Sequence, residues 1–328
     1  MSAERAEGVE GARGVEGAGG MEGARGVEGA GGVEEGVGLT ALMVAAARAV
    51  ETGRPDALAR DTYAEHFVRA ASACAGWPVR PEEVADGEAD PLWGRLGRYF
   101  ALRTRVFDDH LLRRTGAGVR QVVLLGAGLD ARAYRLPWPP ECTVFEIDQP
   151  EVLAFKQRTL DRLGASPRAH RVTVAADLRH DWAEALVTAG FDPARPTAWL
   201  AEGLLLYLPS AAESRLIDTI DAHSARRSSL TYEVKFIKAE SAAVRTSPVY
   251  VAARERIGVD LLALFDADPR PDSATDLTER GWRTAVRTPF HYSRRLGRGP
   301  RPEPNDALAA NHWVFATRSS GTTTSTQS

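Results

Sequence analysis

Short apolar runs and longer amphipathic stretches alternate along this chain, and their spacing predicts an α/β fold. The runs rich in Val, Leu and Ile cover residues 121–125, 142–147, 171–175, 198–201 and 229–234. Runs of this length without a polar face are typical of buried strands in a parallel sheet. Residues 283–288 and 313–317 predict a final, hairpin-like strand pair. With helices between the strands, the pattern predicts one doubly wound, mostly parallel, seven-stranded sheet.

Helical spacing predicts elements on both sides of this strand series. One helix over residues 39–50 ends at Gly53, and a later helix over residues 92–107 carries an apolar stripe. A short amphipathic helix is expected over residues 129–136, and residues 294–304, rich in Arg, Gly and Pro, predict a loop. The mixed periodicity of residues 235–270 predicts a helical insertion that caps the edge of the sheet.

The two ends of the chain lack such patterns. Residues 9–20, VEGARGVEGAGG, recur almost unchanged as MEGARGVEGAGG at residues 21–32. A repeat this short and glycine-rich cannot bury a core, so residues 1–36 are predicted to be a disordered tail. Residues 321–328 are predicted to be a second tail, which leaves residues 37–320 as one folded domain.

A glycine turn follows the first predicted strand. Gly126 and Gly128 come directly after residues 121–125, and Asp148 ends the next strand twenty residues beyond Gly128. Glycine lets the backbone turn sharply and lets a ligand approach it closely. A carboxylate at the end of the second strand can accept hydrogen bonds from both ribose hydroxyls. The spacing therefore predicts a site for an adenosyl cofactor but does not by itself name it.

Asp130 lies inside the same turn and bears on which cofactor is bound. A carboxylate there would repel the pyrophosphate of a dinucleotide, whereas it tolerates the sulfonium and ammonium of S-adenosylmethionine. This charge argument favours S-adenosylmethionine over NAD. The alternative is that Asp130 only complements a helix dipole.

Other polar side chains follow the later strands. Asp177 and Leu178 come after the third predicted strand, and Glu202 comes after the fourth. Open α/β sheets bind ligands at the carboxyl ends of their strands, so these residues are candidates for the cofactor site. For Asp177 the alternative is that it caps the next helix near Trp182.

Arg103 is a cation on an otherwise apolar helical stripe. A buried guanidinium requires a carboxylate partner. It can form an internal salt bridge or bind the carboxylate of the cofactor's amino-acid part, and the residues alone do not decide between the two. Arg105 is the neighbouring alternative.

Four segments resemble the motifs of the leucine carboxyl methyltransferase family, in the family's order. They read GAGLDARAYRLPWP, FEIDQPEVLAFK, AADLRHDW and TAWLAEGLLLYLP, and the resemblance extends from about residue 39 to residue 318. It is greatest to the family's bacterial branch. The resemblance implies a class I, Rossmann-like methyltransferase fold with S-adenosylmethionine as cofactor. It also implies a cofactor-binding role for Arg103 and for the Asp177–Leu178 pair.

The function implied is methyl transfer to an oxygen of a small-molecule or peptide acceptor, a carboxylate or a hydroxyl, with secondary metabolism as one setting. Tyr207, Glu233 and His291 are the remaining candidates for a general base, and none lies in a recognisable motif. The alternatives are an NAD-dependent oxidoreductase and a non-catalytic methyltransferase-like binding module. The acceptor and the oligomeric state stay open.

Composition narrows the class of partner. A net charge of −3 gives no electrostatic reason to expect nucleic acid, and no apolar run reaches the ~18 residues that span a bilayer. Two cysteines cannot build a disulfide framework and suit a cytoplasmic protein. The seven histidines show no metal-binding spacing. We therefore expect no nucleic acid, membrane or metal partner.

Overall fold

The structure is a computed structural model that describes residues 34–235, 246–266, 269–303 and 306–319. Most of the predicted N-terminal tail and all of residues 321–328 lie outside this range. The predicted tail boundary at residue 36 moves, because Gly36 begins a helix and the Glu34 carboxylate accepts hydrogen bonds from the Ser72 amide and hydroxyl.

Seven strands form one sheet in the described part of the chain. They are β1 Gln121–Leu125, β2 Thr143–Asp148, β3 His170–Ala175, β4 Thr197–Ala201, β5 Ser229–Lys235, β6 Trp282–Arg287 and β7 Asn311–Arg318. Their order is β3-β2-β1-β4-β5-β7-β6, with β1 to β5 parallel and β7 antiparallel to both of its neighbours. The predicted doubly wound, mostly parallel sheet is confirmed, and so is the final antiparallel pair.

Helices cover both faces of the sheet. Those of the described residues are α1 Gly36–Thr52, α2 Ala64–Ala70, α3 Gly97–Gly116, α4 Arg132–Arg135, α5 Pro150–Arg162, α6 Ala183–Thr188, α7 Ser210–Ala222, α8 Pro248–Ile257, α9 Leu261–Leu264, α10 Ser273–Glu279 and α11 Pro289–Leu296. A π-helical turn, Pro91–Leu96, runs directly into α3, and Asp90 caps it through the amides of Leu92 and Trp93.

Three helix predictions need adjustment. The helix expected over residues 129–136 shortens to α4, because the turn continues to Ala131 and a proline follows Leu136. The loop expected from residue 294 begins instead at Gly297, because residues 294–296 belong to α11 and Gly297 ends this helix in a left-handed conformation. The predicted insertion contains α8 and α9, while residues 236–245 and 267–268 lie outside the described residues.

Alternating side chains of the strands enter two separate apolar cores. Val122 and Leu124 of β1 join the core that includes α1 and α3, whereas Val123 and Leu125 join the core that includes α7. In β5, Leu230, Tyr232 and Val234 belong to the second core. The intervening polar positions of β5 therefore face α3 and α8.

A fully buried carboxylate holds β2 in place. Glu146 has no exposed surface, and its Oε2 atom lies 2.9 Å from Lys156 Nζ on α5 and 2.7 Å from Arg171 Nη2 on β3. This cluster ties β2 to its following helix and to its neighbouring strand. Because Asp148 follows Glu146 by two residues, the cluster also fixes the position of Asp148 at the strand end.

None of the helices in the described residues combines the length and the apolar character needed to span a membrane.

Candidate cofactor site and buried ion-pair network

The predicted site residues gather at the carboxyl edge of the sheet. β1 lies between β2 and β4, so the order of the strands reverses at this point. Reversal opens a crevice outside the carboxyl ends of the central strands, where α/β proteins bind ligands. Gly126 and Gly128 follow β1, Asp148 ends β2, Asp177 follows β3 and Glu202 follows β4. The sheet therefore brings these predicted residues to one edge.

The glycine turn and Asp148 are joined directly. The Gly128 amide donates to Asp148 Oδ2 at 2.6 Å, and the Gln149 amide donates to Oδ1 at 2.7 Å. Gly126 and Gly128 have φ angles of 61° and 47°, which disfavour residues with a Cβ atom. Burial raises the pKa of Asp148, while the two amides pull it down. Each carboxylate oxygen keeps a second lone pair for a ligand hydroxyl.

Asp177 lies beside this turn. Its carboxylate accepts from the Arg179 amide at 2.8 Å and forms an ion pair with the Arg179 side chain at 2.7 Å. Hydrogen bonding from Arg179 lowers the pKa of Asp177 to about 2. The helix-cap alternative is wrong, since no side chain caps α6, whose N-cap residue is Trp182. Leu178 is buried in the second apolar core.

Arg103 sits at the other end of the edge, buried on α3. Its Nε atom lies 2.9 Å from Glu202 Oε1, and its Nη1 atom lies 2.5 Å from Glu233 Oε2. The ring of Phe100 adds a cation–π contact at 4.9 Å. The internal salt bridge is therefore present, with partners on strand ends, while the cofactor role stays a prediction. Arg105 is exposed and pairs with Asp109.

Arg132, which the sequence analysis did not identify, lies at the centre of the ion-pair network at the sheet edge. Its side chain has no exposed surface, and it contacts Asp108 at 2.6 Å, Glu202 at 2.7 Å and Asp130. Three carboxylates surround this cation and hold its pKa well above the usual range, despite the opposing effect of burial. Arg132 thereby connects the glycine turn to the Arg103–Glu202 pair.

The contacts with Arg132 change the role of the Asp130 carboxylate. Its Oδ1 atom accepts from the Arg132 amide at 2.6 Å, and its other oxygen binds the Arg132 guanidinium. Although burial opposes ionisation, the charge of Arg132 and its neighbours lowers the pKa of Asp130 to about 2. Because Arg132 already compensates the carboxylate, repulsion of a diphosphate by Asp130 is weak. Asp130 therefore does not discriminate between S-adenosylmethionine and a dinucleotide by its charge.

A single signal in the sequence could have revealed Arg132. Arg132 is a charged residue among Ala131, Ala133 and Tyr134, whose side chains are buried. Arg103 was identified by the same kind of contrast, a cation among apolar residues. The Asp108 partner of Arg132 lies 24 residues away on α3, and nothing in the spacing indicates that the two elements touch.

The three candidate bases lie in different surroundings. Glu233 is buried and accepts a hydrogen bond from the Tyr99 hydroxyl as well as from Arg103. Tyr207 is partly exposed and packs on Phe265, with ring centroids 5.8 Å apart. His291 is exposed on α11, where it packs on Tyr292. Only Glu233 joins the ion-pair network of the sheet edge in the described structure.

These residues fit an adenosyl cofactor. Asp148 offers two acceptor atoms, as ribose hydroxyls require, beside a glycine turn against which Leu204 and Ala41 pack. A second carboxylate, Asp177, lies next along the edge with 21% of its side chain exposed. Across the described residues, no group of His, Cys, Asp and Glu side chains is arranged to hold a metal ion.

Comparison with known proteins adds independent information. The family model of the leucine carboxyl methyltransferases matches residues 41–221, which include all the predicted cofactor-binding residues. A Streptomyces coelicolor protein assigned as an S-adenosyl-L-methionine-dependent methyltransferase is 63% identical over 284 residues, 86% of this chain and 93% of the relative. Proteins with the same assignment from Saccharopolyspora erythraea and Mycolicibacterium paratuberculosis are 49% and 43% identical, over 76% and 86% of this chain and 84% and 95% of their own lengths.

Proposed function

The chain belongs to the leucine carboxyl methyltransferase family, and from this we propose an S-adenosylmethionine-dependent O-methyltransferase whose acceptor is a carboxylate. Membership in this family makes the chain a methyltransferase, which overturns the alternative of an NAD-dependent oxidoreductase. What the proposal adds is the acceptor atom and the role of each residue at the sheet edge.

We assign the cofactor to the crevice at the end of β1. When bound, S-adenosylmethionine supplies an electrophilic methyl group on a sulfonium. Asp148 would accept hydrogen bonds from the ribose hydroxyls, and the backbone of the turn at Gly126 and Gly128 would lie against the adenosine. Asp177 and Leu178 would contact the adenine, and Arg103 with Glu202 would bind the amino-acid end. Positioning two reactants in a dry crevice is the main contribution that such a protein makes to the rate.

The carboxylates of the edge argue for an acceptor that needs no base. An alcohol or phenol must lose a proton during methyl transfer, whereas a carboxylate is already ionised at neutral pH. Pairing with Arg132 and Arg103 lowers the pKa of Glu202 against the effect of burial, and Asp130 has a pKa of about 2. Such weakly basic groups are poor proton acceptors. Burial raises the pKa of Glu233 to about 7, but its carboxylate already receives hydrogen bonds from Tyr99 and Arg103, which leaves it poorly placed to accept a proton from an acceptor.

One observation carries this proposal, namely that Glu202, Asp130 and Glu233 are all bonded to arginines in the described structure. We therefore expect a rate that is nearly flat from about pH 6 to 9 apart from titrations of the protein's own groups, because no proton transfer limits the acceptor. The test is to screen carboxylic acids and phenols with methyl-labelled cofactor and to treat the product with mild alkali. An ester releases labelled methanol, whereas an ether does not.

An alkali-stable product would overturn the carboxylate proposal, and a rate that climbs steadily with pH would point to a hydroxyl acceptor. A protein that binds S-adenosylhomocysteine but methylates neither class of acceptor would instead support the non-catalytic binding module. Calorimetric titration with S-adenosylhomocysteine provides that control, since it reports cofactor binding without requiring an acceptor.

A further inference from the structure

Lys235 ends β5 in surroundings that differ from those of the other buried cations. Its ammonium donates a hydrogen bond to the Tyr250 hydroxyl of α8. The same atom lies 5.0 Å from the ring centroid of Tyr250 and 5.0 Å from that of Phe265. Two aromatic rings thus surround a half-buried cation at the carboxyl edge of the sheet.

Lys235 differs in its ion pairing from the more deeply buried cations of the described residues. The buried cations Arg48, Arg54, Arg103, Arg132 and Lys156 each have a carboxylate oxygen within 3.5 Å. For Lys235, the described residues provide no carboxylate at that distance. A cation removed from water without an anion is costly, and an anionic ligand would relieve that cost.

Two charged groups of the described residues act on the Lys235 ammonium, the Glu233 carboxylate and the Arg103 guanidinium. Glu233, on the same side of β5, attracts the ammonium, and Arg103 of α3 repels it. Burial is the largest influence and lowers the pKa of Lys235 to about 8. Glu233 and Lys235 attract each other, but the carboxylate forms its hydrogen bonds with Tyr99 and Arg103 and is not within ion-pair distance of the ammonium. Lys235 therefore remains able to bind an external anion.

Aromatic side chains continue from this point toward the end of β4. Phe265 packs against Tyr250 with ring centroids 6.3 Å apart and against Tyr207 with centroids 5.8 Å apart. Tyr207 lies in the segment that follows Glu202, so the aromatic cluster extends from Lys235 toward the predicted cofactor crevice. A ligand with an anionic head and an apolar body matches this combination of charge and surface.

We propose that Lys235 binds the carboxylate of the methyl acceptor and that Tyr207, Tyr250 and Phe265 contact its apolar or aromatic body. This inference rests on the proposed function and narrows the acceptor to small aryl or apolar carboxylic acids. In the reaction a lone pair of the acceptor oxygen forms the new O–C bond, while the C–S bond breaks and its electrons stay on sulfur. No proton moves.

The charge change also accounts for product release. The acceptor enters as an anion and leaves as a neutral ester, so methylation removes the ion pair with Lys235. Charge-assisted hydrogen bonds are about twice as strong as neutral ones. The site would therefore bind the substrate more tightly than the product.

Binding of phenylacetate to the full chain saturated with S-adenosylhomocysteine tests this subsite. We expect Lys235→Met to weaken phenylacetate binding roughly ten- to a hundredfold, the usual range for one charge-assisted contact, and Lys235→Arg to restore part of it. Methyl phenylacetate, the neutral twin, should bind weakly and equally to all variants. Arg254→Met is the matched control, because Arg254 is an exposed cation on the same helix as Tyr250.

Affinity for S-adenosylhomocysteine and the melting temperature must be unchanged in Lys235→Met for the comparison to hold, and we expect both. Equal phenylacetate affinities in the wild type and Lys235→Met would overturn the assignment, and so would a wild type that does not bind phenylacetate. An alkali-labile methyl product with an unchanged KM in Lys235→Met would refute the subsite alone. An alkali-stable product would refute the carboxylate proposal itself.

Discussion

The two halves of the sheet edge are built in different ways. At the β1–β2 half, the Asp148 carboxylate is held by backbone amides, those of Gly128 and Gln149. At the β4–β5 half, Glu202 and Glu233 are held by the guanidinium of Arg103, and Glu202 also contacts Arg132. The first half depends on the conformation of one loop, whereas the second depends on side chains from several elements.

This difference separates ligand binding from folding. A carboxylate bonded to amides retains its charge and its second lone pairs, so it can serve a ligand at little cost to the fold. A buried carboxylate paired with arginine has exchanged its hydration for that pair, and loss of either partner leaves an uncompensated charge. We therefore expect substitutions in the first half to affect mainly cofactor affinity and those in the second to affect mainly stability.

Arg132→Met should have the largest effect, because it removes the cation shared by Asp108, Asp130 and Glu202. Breaking a buried ion pair by removing one partner costs about 3–5 kcal/mol of unfolding free energy. Urea denaturation measures this cost, and Arg105→Met, which breaks an exposed pair, is the control with an expected change of at most about 0.5 kcal/mol. Similar changes in both variants would contradict the central position of Arg132.

Arg103→Lys tests whether the two halves are coupled. Lysine cannot contact Glu202 and Glu233 in the same forked geometry, so stability should fall by about 1.5–3 kcal/mol. If Arg103 also binds the cofactor's carboxylate, affinity for S-adenosylhomocysteine in the folded protein should fall as well. Melting temperature and calorimetric affinity are measured on one sample, and a loss of stability without a loss of affinity would confine Arg103 to the ion pair.

Asp148→Asn probes the first half while keeping an oxygen that can accept from the Gly128 amide. Loss of charge-assisted bonds to the ribose should weaken S-adenosylhomocysteine binding by about 1.5–3 kcal/mol, roughly ten- to a hundredfold. The melting temperature should hardly change. Asp148→Ala, which also removes the acceptor for the amide, should lose stability in addition, and an unchanged dissociation constant in both variants would move the ribose site elsewhere.

His110 is expected to lower the stability of the fold in acid, independently of the two halves of the sheet edge. Burial, with Arg113 and Arg114 nearby, lowers the pKa of His110 to about 3 from its ordinary 6.5. The unfolded chain therefore takes up a proton below pH 6.5 that the folded chain refuses, so stability is complete above pH 6.5 and declines as the pH falls toward 3. His110 retains some exposed surface, so the expected loss at pH 5 is about 1–2 kcal/mol.

His110→Phe should abolish that part of the pH dependence, because phenylalanine keeps the packing on Phe315, where the ring centroids are 5.2 Å apart, without ionising. Unfolding free energies at pH 5 and pH 7.5 measure the effect. If the wild type and His110→Phe lose stability equally between these pH values, the acid sensitivity arises from the carboxylates of the sheet edge instead.

Much of the fold could be predicted from the sequence because its signals are local. The strands β1 to β5 lie within one or two residues of their predicted bounds, since short apolar runs report burial directly. The length of the short helix α4 and the end of α11 were misjudged, because turn geometry and packing decide such boundaries. Neither error displaced a predicted site residue from the sheet edge.

The sequence by itself determined the glycine turn and the acid that closes it. The backbone conformation of Gly126 and Gly128 sets the turn, and Asp148, which accepts from the Gly128 amide, follows only twenty residues later. Both features are therefore local in the sequence. Only the tertiary structure decided the ion pairs, in which Arg103 meets Glu202 across 99 residues and Glu233 across 130. A charged side chain specifies no partner in advance. Its partner is whichever opposite charge the packing of helix α3 against the strands brings within a few ångströms, where exclusion of water makes the pairing obligatory.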